Sequence, residues 1–236
     1  MKTYAIIPAR AGSKGVKNKN IRLLANEPLI SYSIKAAISA QNFDRVIVST
    51  DSPEIAELSK KLGAEVPFLR PAELAQDRSP DRSYIEHALN WFRDQEHHEP
   101  DLIAIIRPTT PLRCNEVLDE AVKKMKASFS EATSLRSVHP LAEPPQKMLQ
   151  FADKWLTGFF PDDKRDDYFN LPRQSFPTAY CPNGYIDIIK TAYIRSEKEK
   201  IFGADMLGFV TAVSHEIDCE DDFSYLEYLL ASKKHG

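Results

Sequence analysis

Residues 6–20 read IIPARAGSKGVKNKN, and the fold turns on how that stretch is understood. An apolar run ends at Pro8 and passes directly into a loop carrying Arg10, Lys14, Lys17 and Lys19, with Gly12, Ser13 and Gly15 among them. Cations gathered at the carboxyl end of a first strand mark where an open α/β sheet receives an anionic ligand, commonly a phosphate chain. The loop holds neither GxxxxGK[ST] nor GxGxxG, so neither a P-loop ATPase nor a simple dinucleotide fold is indicated. Gly12 and Gly15 let backbone amides approach phosphate oxygens. Arg10 can fork onto two oxygens, whereas Lys14 and Lys19 act as movable point charges. Asn20 is placed to read a ribose hydroxyl or a base edge.

Outward from this loop the chain alternates strand and helix. Runs at 4–8, 45–49 and 102–106 are nearly all apolar, as in parallel strands buried on both faces. Amphipathic stretches at 29–40, 53–62 and 82–92 lie between them, and 64–69 reads as a short strand. A helix at 116–129 and a strand at 132–138 continue the pattern, which predicts a doubly wound, mostly parallel α/β sheet. Residues 139–183 break the rhythm with seven prolines among aromatic and charged residues. This predicts a small, irregular, β-rich arm, serving as a lid or a dimerisation surface, inserted into a main domain of residues 1–138 plus 184–236. Strands at 185–189 and 206–210 and a helix at 221–231 complete the main domain.

Composition excludes several classes. A net charge of −3 gives no reason to expect nucleic-acid binding, so any anion site must be local. No apolar run approaches the roughly 20 residues that span a bilayer, so no membrane partner is expected. The three cysteines, Cys114, Cys181 and Cys219, are scattered and lack metal-type spacing. They fit free buried thiols in a reducing compartment, which makes a cytoplasmic protein the expectation.

Further segments bear on chemistry. In STDSPEIA (49–56) Asp51 and Ser52 are helix-capping candidates, with Asp51 read as the cap. Arg70 in RPAELAQDRSPD (70–81) is a candidate anion or base contact, and Arg78 a surface charge. Arg107 in IRPTTPLR (106–113) leaves a strand end toward the presumed cleft. In HEIDCEDD (215–222), Glu216 and Asp218 lie two apart, so an extended segment puts both carboxylates on one face. Carboxylates without histidine or thiolate neighbours suit Mg²⁺, which favours oxygen ligands and substrate phosphates. Asp221 and Asp222 are first-turn residues of the last helix. Cations for a polyphosphate together with carboxylates for Mg²⁺ imply phosphoryl or nucleotidyl transfer.

IPARAGSKGVKNKN, VSTDSPEIA, FLRPAELAQD, RPTTPLR, PRQSFPTAYCPNGYIDI and EIDCEDD, in that order, resemble the acylneuraminate cytidylyltransferases over essentially the whole chain. The resemblance implies a Mg²⁺-dependent enzyme joining CTP to the anomeric hydroxyl of an acidic nine-carbon keto sugar, with release of pyrophosphate. It implies that Arg10, Gly12, Ser13, Lys14, Lys19, Asn20 and Arg70 bind the nucleotide, with Lys19, Arg10 and Asp218 catalytic and Lys19 on the α-phosphate. Asp218 and Glu216 would hold the metal, Glu216 standing where relatives often have Asp. Arg107, Lys147, Arg173, Tyr180 and Asn183 would meet the sugar, Lys147 and Arg173 from the neighbouring subunit of a homodimer. Sialic-acid enzymes usually carry glutamine where this chain has Arg107, and Cys181 replaces a frequent arginine. An obligate cation is not a conservative substitute for a neutral amide. The expected sugar is therefore a related nonulosonic acid of the legionaminic or pseudaminic type. The alternatives are a nucleotidyltransferase acting on another sugar, a Kdo-type acid or a sugar 1-phosphate, and a non-catalytic nucleotide-binding subunit.

Overall fold

Alternate side chains of the first strand, β1 (Thr3–Pro8), enter different cores, as the two-residue period of a strand requires. Ala5 and Ile7 join one cluster while Tyr4 and Ile6 join another. A computed structural model of the chain describes residues 1–233. After β1 come a small ribbon, β2 (Leu23–Leu24) and β3 (Glu27–Pro28), then α1 (Leu29–Ser39), β4 (Arg45–Ser49) and α2 (Pro53–Lys61). The chain continues through α3 (Asp81–Trp91), β5 (Leu102–Ile105), α4 (Asn115–Ala127) and β6 (Ser134–Pro140). An exposed hairpin, β7 (Leu149–Ala152) and β8 (Trp155–Gly158), precedes β9 (Tyr180–Lys190), α5 (Thr191–Ser196), β10 (Met206–Val210) and α6 (Glu220–Lys233).

The main sheet runs β10-β6-β9-β5-β1-β4. β1 pairs in parallel with both β4 and β5, and β10 with β6, while β9 runs antiparallel to its two neighbours. The sheet is thus mostly parallel, as expected. From β1 the chain proceeds first to one flank (β4) and then to the other (β5), which makes the carboxyl end of β1 a topological switch point. α1, α2 and α4 contribute Ile30, Ile34, Ile55, Leu118 and Val122 to the core on one face. α3 packs Tyr84, Ile85 and Leu89 against Ile6, Ile47 and Ile103 on the other. A third cluster joins Val16, Leu24 and Leu29 to Ile217, Phe223 and Leu226. Burying those side chains together fastens the last helix and the segment before it to the basic loop.

Three expectations need correction. Residues 64–69 do not form a strand: only Glu65 bridges to Ile47, with Val48 N donating to Glu65 O and Glu65 N to Val46 O. Pro67 has no N–H to continue the ladder, and contact with the edge resumes only where Arg70 N donates to Thr50 O. The cysteines are free but not buried, since Cys114 and Cys219 are exposed and Cys181 is half-buried. The cap of α2 is Ser52, whose hydroxyl accepts from Ile55 N at 3.3 Å, and not Asp51.

Candidate nucleotide-binding site

A cleft of about 380 Å³ opens at the carboxyl ends of β1 and β5. That volume suits a small-molecule ligand. Its walls include Arg10, Ser13, Lys14, Lys19 and Asn20 from the first loop, Arg70 and Asp77 from the second, Arg107 and Thr109 from the third, and Asp218 from the last. Segments separated by about two hundred residues therefore share one cavity, and the reason lies in the third core. Buried Val16 and Ile217 draw the basic loop and the acidic segment together. Gly15 permits the approach, since a Cβ there would collide with the backbone carbonyl of Asp218. Gly12 serves differently: it adopts φ +67°, a left-handed conformation that side-chain-bearing residues resist.

Lys19 leaves a short 3₁₀ turn over Lys19–Ile21. Its ammonium donates to Ile217 O at 2.6 Å and lies 3.7 Å from Asp218 Oδ1. The lysine side chain is only 12 % exposed whereas that of Asp218 is 80 % exposed, so the carboxylate keeps free coordination positions toward the cleft. Asn20 uses its amide internally, donating to Arg10 O at 2.9 Å, and so shapes the loop. Asp51 Oδ1 accepts from Ala11 N at 2.8 Å, a direct anchor for the same loop. Asp77 reaches across the cleft to meet Arg10 Nη2 at 2.8 Å and also pairs with Lys14. Hydrogen bonding from Lys14, then from Arg10, holds the Asp77 carboxyl below its ordinary range. The carboxylate thus occupies the two cations that the phosphate reading assigns to an oxyanion.

Arg70 is buried against β4, donating through Nε to Ser49 Oγ at 3.1 Å and through Nη2 to Ser49 O at 2.5 Å, with its guanidinium over the Tyr84 ring. Burial lowers its pKa from the ordinary value. Burial also raises the Tyr84 hydroxyl, which finds no partner among the described residues. Arg107 is not a free cation. Its fork donates to Asp187 Oδ2 at 2.6 Å and to Asp81 Oδ2 at 2.5 Å. Burial opposes its charge, but Tyr84, Asp187 and Asp81 outweigh that and raise the pKa. Beneath it, Arg113 donates to Tyr185 O at 2.6 Å, Ser33 Oγ at 3.0 Å, Arg107 O at 2.8 Å and Gly184 O at 2.9 Å, and to Thr110 O. Desolvation pulls that guanidinium down to about 9. Glu216 accepts from Thr109 Oγ1 at 2.8 Å.

The residues expected to meet the sugar do not all gather here. Lys147 pairs with Glu143 at 3.8 Å, Arg173 lines a separate cavity with Leu141 and Phe176, and Tyr180 is half exposed where β9 begins opposite Pro140. Asn183 is buried, donating to Thr211 Oγ1 at 2.7 Å. Among the cleft residues that sequence reasoning does not assign are Asp77, Asp81, Tyr84 and Thr109. Acidic residues in a polar loop resemble solvated surface until the loop is seen folded over the cations.

Among the described residues, no cluster of three or more His, Cys, Asp or Glu is poised to hold a metal. The exposed carboxylate of Asp218 is by its chemistry an oxygen donor of the kind that a hard divalent cation takes alongside ligand phosphates.

Basic loop, switch-point cleft and facing carboxylate sit on a fold of the nucleotidyltransferase class. The family described as "Cytidylyltransferase" matches residues 4–170, and the chain belongs to it. An N-acylneuraminate cytidylyltransferase of Escherichia coli O18:K1:H7 (strain RS218 / NMEC) is 34 % identical over 95 % of this chain, which spans about half (50 %) of that relative's length. A CMP-N,N'-diacetyllegionaminic acid synthase of Campylobacter jejuni serotype O:2 is also 34 % identical, over 96 % of this chain and 94 % of its own. A CMP:2-keto-3-deoxy-manno-octonic acid synthetase structure, complexed with CTP, superposes with a TM-score of 0.73 at 13 % identity, covering 99 % of this chain and 100 % of that one. The last likeness bears on the fold alone.

Proposed function

We propose that the protein transfers the cytidylyl group of CTP to the anomeric hydroxyl of a nonulosonic acid, giving the CMP-sugar and pyrophosphate. The observation that carries this reading is Lys19 and Asp218 facing one cleft 3.7 Å apart, a cation for the α-phosphate beside a carboxylate for a metal. The anomeric oxygen attacks the α-phosphorus in line and gives up its proton to water, the bond from that phosphorus to the bridging oxygen breaks, and pyrophosphate departs. Arg10, Lys14 and Lys19 hold the phosphates and neutralise charge as it develops, Asn20 and Asp51 keep the loop in shape, and Arg70 lies on the nucleotide side. Asp218 is the residue that would hold Mg²⁺, whose chemistry is to screen the triphosphate and orient its oxygens. A reaction that consumes CTP belongs in the cytoplasm.

The sugar end is completed by a second copy of the chain. Met148, Leu149, Phe151, Trp155, Leu156 and Phe159 are exposed on the arm, an apolar surface that a lone chain leaves in water. The same arm carries Lys147 and Arg173, which do not line their own cleft. A homodimer in which the arm crosses over covers the first and delivers the second. The departure at Arg107 favours a legionaminic- or pseudaminic-type acid over N-acetylneuraminate. Pyrophosphate release measured across four NTPs and a panel of keto-sugar acids tests the reading. CTP with a nonulosonic acid is the expected pair, and silence with every pair refutes it.

A further inference from the structure

Glu216 and Asp218 are alike in charge and two residues apart, yet they are held by different parts of the fold. Asp218 lines the cleft beside Lys19, and Gly15 packs against its carbonyl. Glu216 is not among the residues lining that cleft. Its Oε1 accepts from Thr109 Oγ1 at 2.8 Å and lies close to Gly184, at the bend of β9, where a Cβ would stand 3.9 Å away. Thr109 takes a second hold on the same segment, since Ile217 N donates to Thr109 O at 2.8 Å. Ile217 O in turn accepts from the Lys19 ammonium at 2.6 Å. A continuous chain therefore runs from the loop after β5, through Thr109, to Glu216 and Ile217, and ends on Lys19 and Asp218. Arg113 fixes the near end of this chain through Arg107 O and Thr110 O.

We infer that Glu216 is a positioning residue and not a metal ligand: with Thr109 it clamps the 215–218 segment so that Asp218 alone presents its carboxylate opposite Lys19. This rests on the cytidylyltransferase reading and deepens it, by dividing two carboxylates between a structural and a metal-facing task. Charge is then dispensable at Glu216, whereas an acceptor oxygen is not. At Asp218 the charge itself matters.

Four variants separate the roles: Glu216→Gln, which keeps an oxygen for Thr109; Glu216→Ala; Thr109→Val; and Asp218→Asn. Turnover and the Mg²⁺ activation constant are measured for each, together with hydrogen exchange of the Ile217 amide in the absence of nucleotide and metal. Glu216→Gln keeps turnover and the Mg²⁺ constant within about twofold of wild type. Glu216→Ala and Thr109→Val each lower kcat about three- to tenfold, the usual range for one lost hydrogen bond, and speed Ile217 exchange by a similar factor. The double variant is no worse than either single one, because both remove the same contact. Asp218→Asn raises the Mg²⁺ constant at least about tenfold and leaves Ile217 exchange unchanged, as expected when a charged group on the ion is lost. A Mg²⁺ constant raised as much by Glu216→Gln as by Asp218→Asn overturns the inference, as does Ile217 exchange unmoved by Glu216→Ala. Should wild type release no pyrophosphate, the proposed reaction fails, while Ile217 exchange still decides whether Glu216 clamps the segment.

Discussion

Replacing Gly15 with alanine probes the contact that brings the two ends of the chain together. The added methyl carbon would collide with the Asp218 carbonyl, a backbone atom that cannot rotate aside as a side-chain tip could. Ordinary contact begins at 3.4 Å, so the Asp218 segment must retreat. The retreat is about 1 Å, and a misplacement of that size at a reacting centre can cost about 100-fold in rate. Asp218 is exposed, so the segment yields without dragging the main core with it. The stability cost stays within about 1–3 kcal/mol, the range for local overpacking. Gly208 on β10 supplies the control, having no atom within 4 Å of a built Cβ and no left-handed φ. Pyrophosphate release and thermal unfolding are measured on both variants. Gly15→Ala with kcat/KM near wild type, or Gly208→Ala with an equal loss, refutes the claim that backbone proximity at Gly15 sets the Lys19–Asp218 geometry.

Lys19→Ala lowers kcat by about 100-fold or more, as for loss of one transition-state donor, and a near-wild-type rate in a pyrophosphate assay contradicts its role. Asp77→Asn weakens the competitor that occupies Arg10 and Lys14, so the CTP dissociation constant measured by calorimetry falls, and a rise would mean Asp77 assists the nucleotide. Asp187→Asn leaves the half-buried guanidinium of Arg107 with Asp81 as its remaining carboxylate and destabilises the fold by about 1–3 kcal/mol in denaturant unfolding. Asp119 faces burial that opposes its charge, but it accepts from the amides of Gln41 and Asn42, and its pKa lies below the ordinary 3.8. A carboxylate with a depressed folded-state pKa contributes stability above about pH 4 and loses it as pH falls through the folded value. The Asp119→Asn variant accordingly shows a flatter acid limb, and an unchanged limb in pH-dependent unfolding contradicts this.

Strand periodicity made most of the sheet legible in sequence. β1, β4 and β5 are mostly apolar because both of their faces are covered, and that pattern survives without tertiary information. The antiparallel return of β9 and the failure of 64–69 to become a strand were less visible. The first depends on pairing partners distant in sequence, and the second on a single missing N–H at Pro67. Basic residues of the first loop were readable because four cations after a buried strand need a purpose. Partnered carboxylates were not. Asp51 looked like a cap but anchors Ala11 N, and Asp77 drew no reading of its own but closes on Arg10 and Lys14. Arg107 read as a free cation since nothing local reveals Asp187, eighty positions away in sequence, as its partner. The grouping of Glu216 with Asp218 by their spacing likewise missed Thr109, whose hydroxyl separates their tasks.

A crystal structure with a non-hydrolysable CTP analogue and Mn²⁺ gives the most direct measurement, because the ion's anomalous signal locates it independently of the refined chain. The account predicts a peak bridging the Asp218 carboxylate and the triphosphate, with the Lys19 ammonium against the α-phosphate. An ion and triphosphate lodged away from either residue would contradict it.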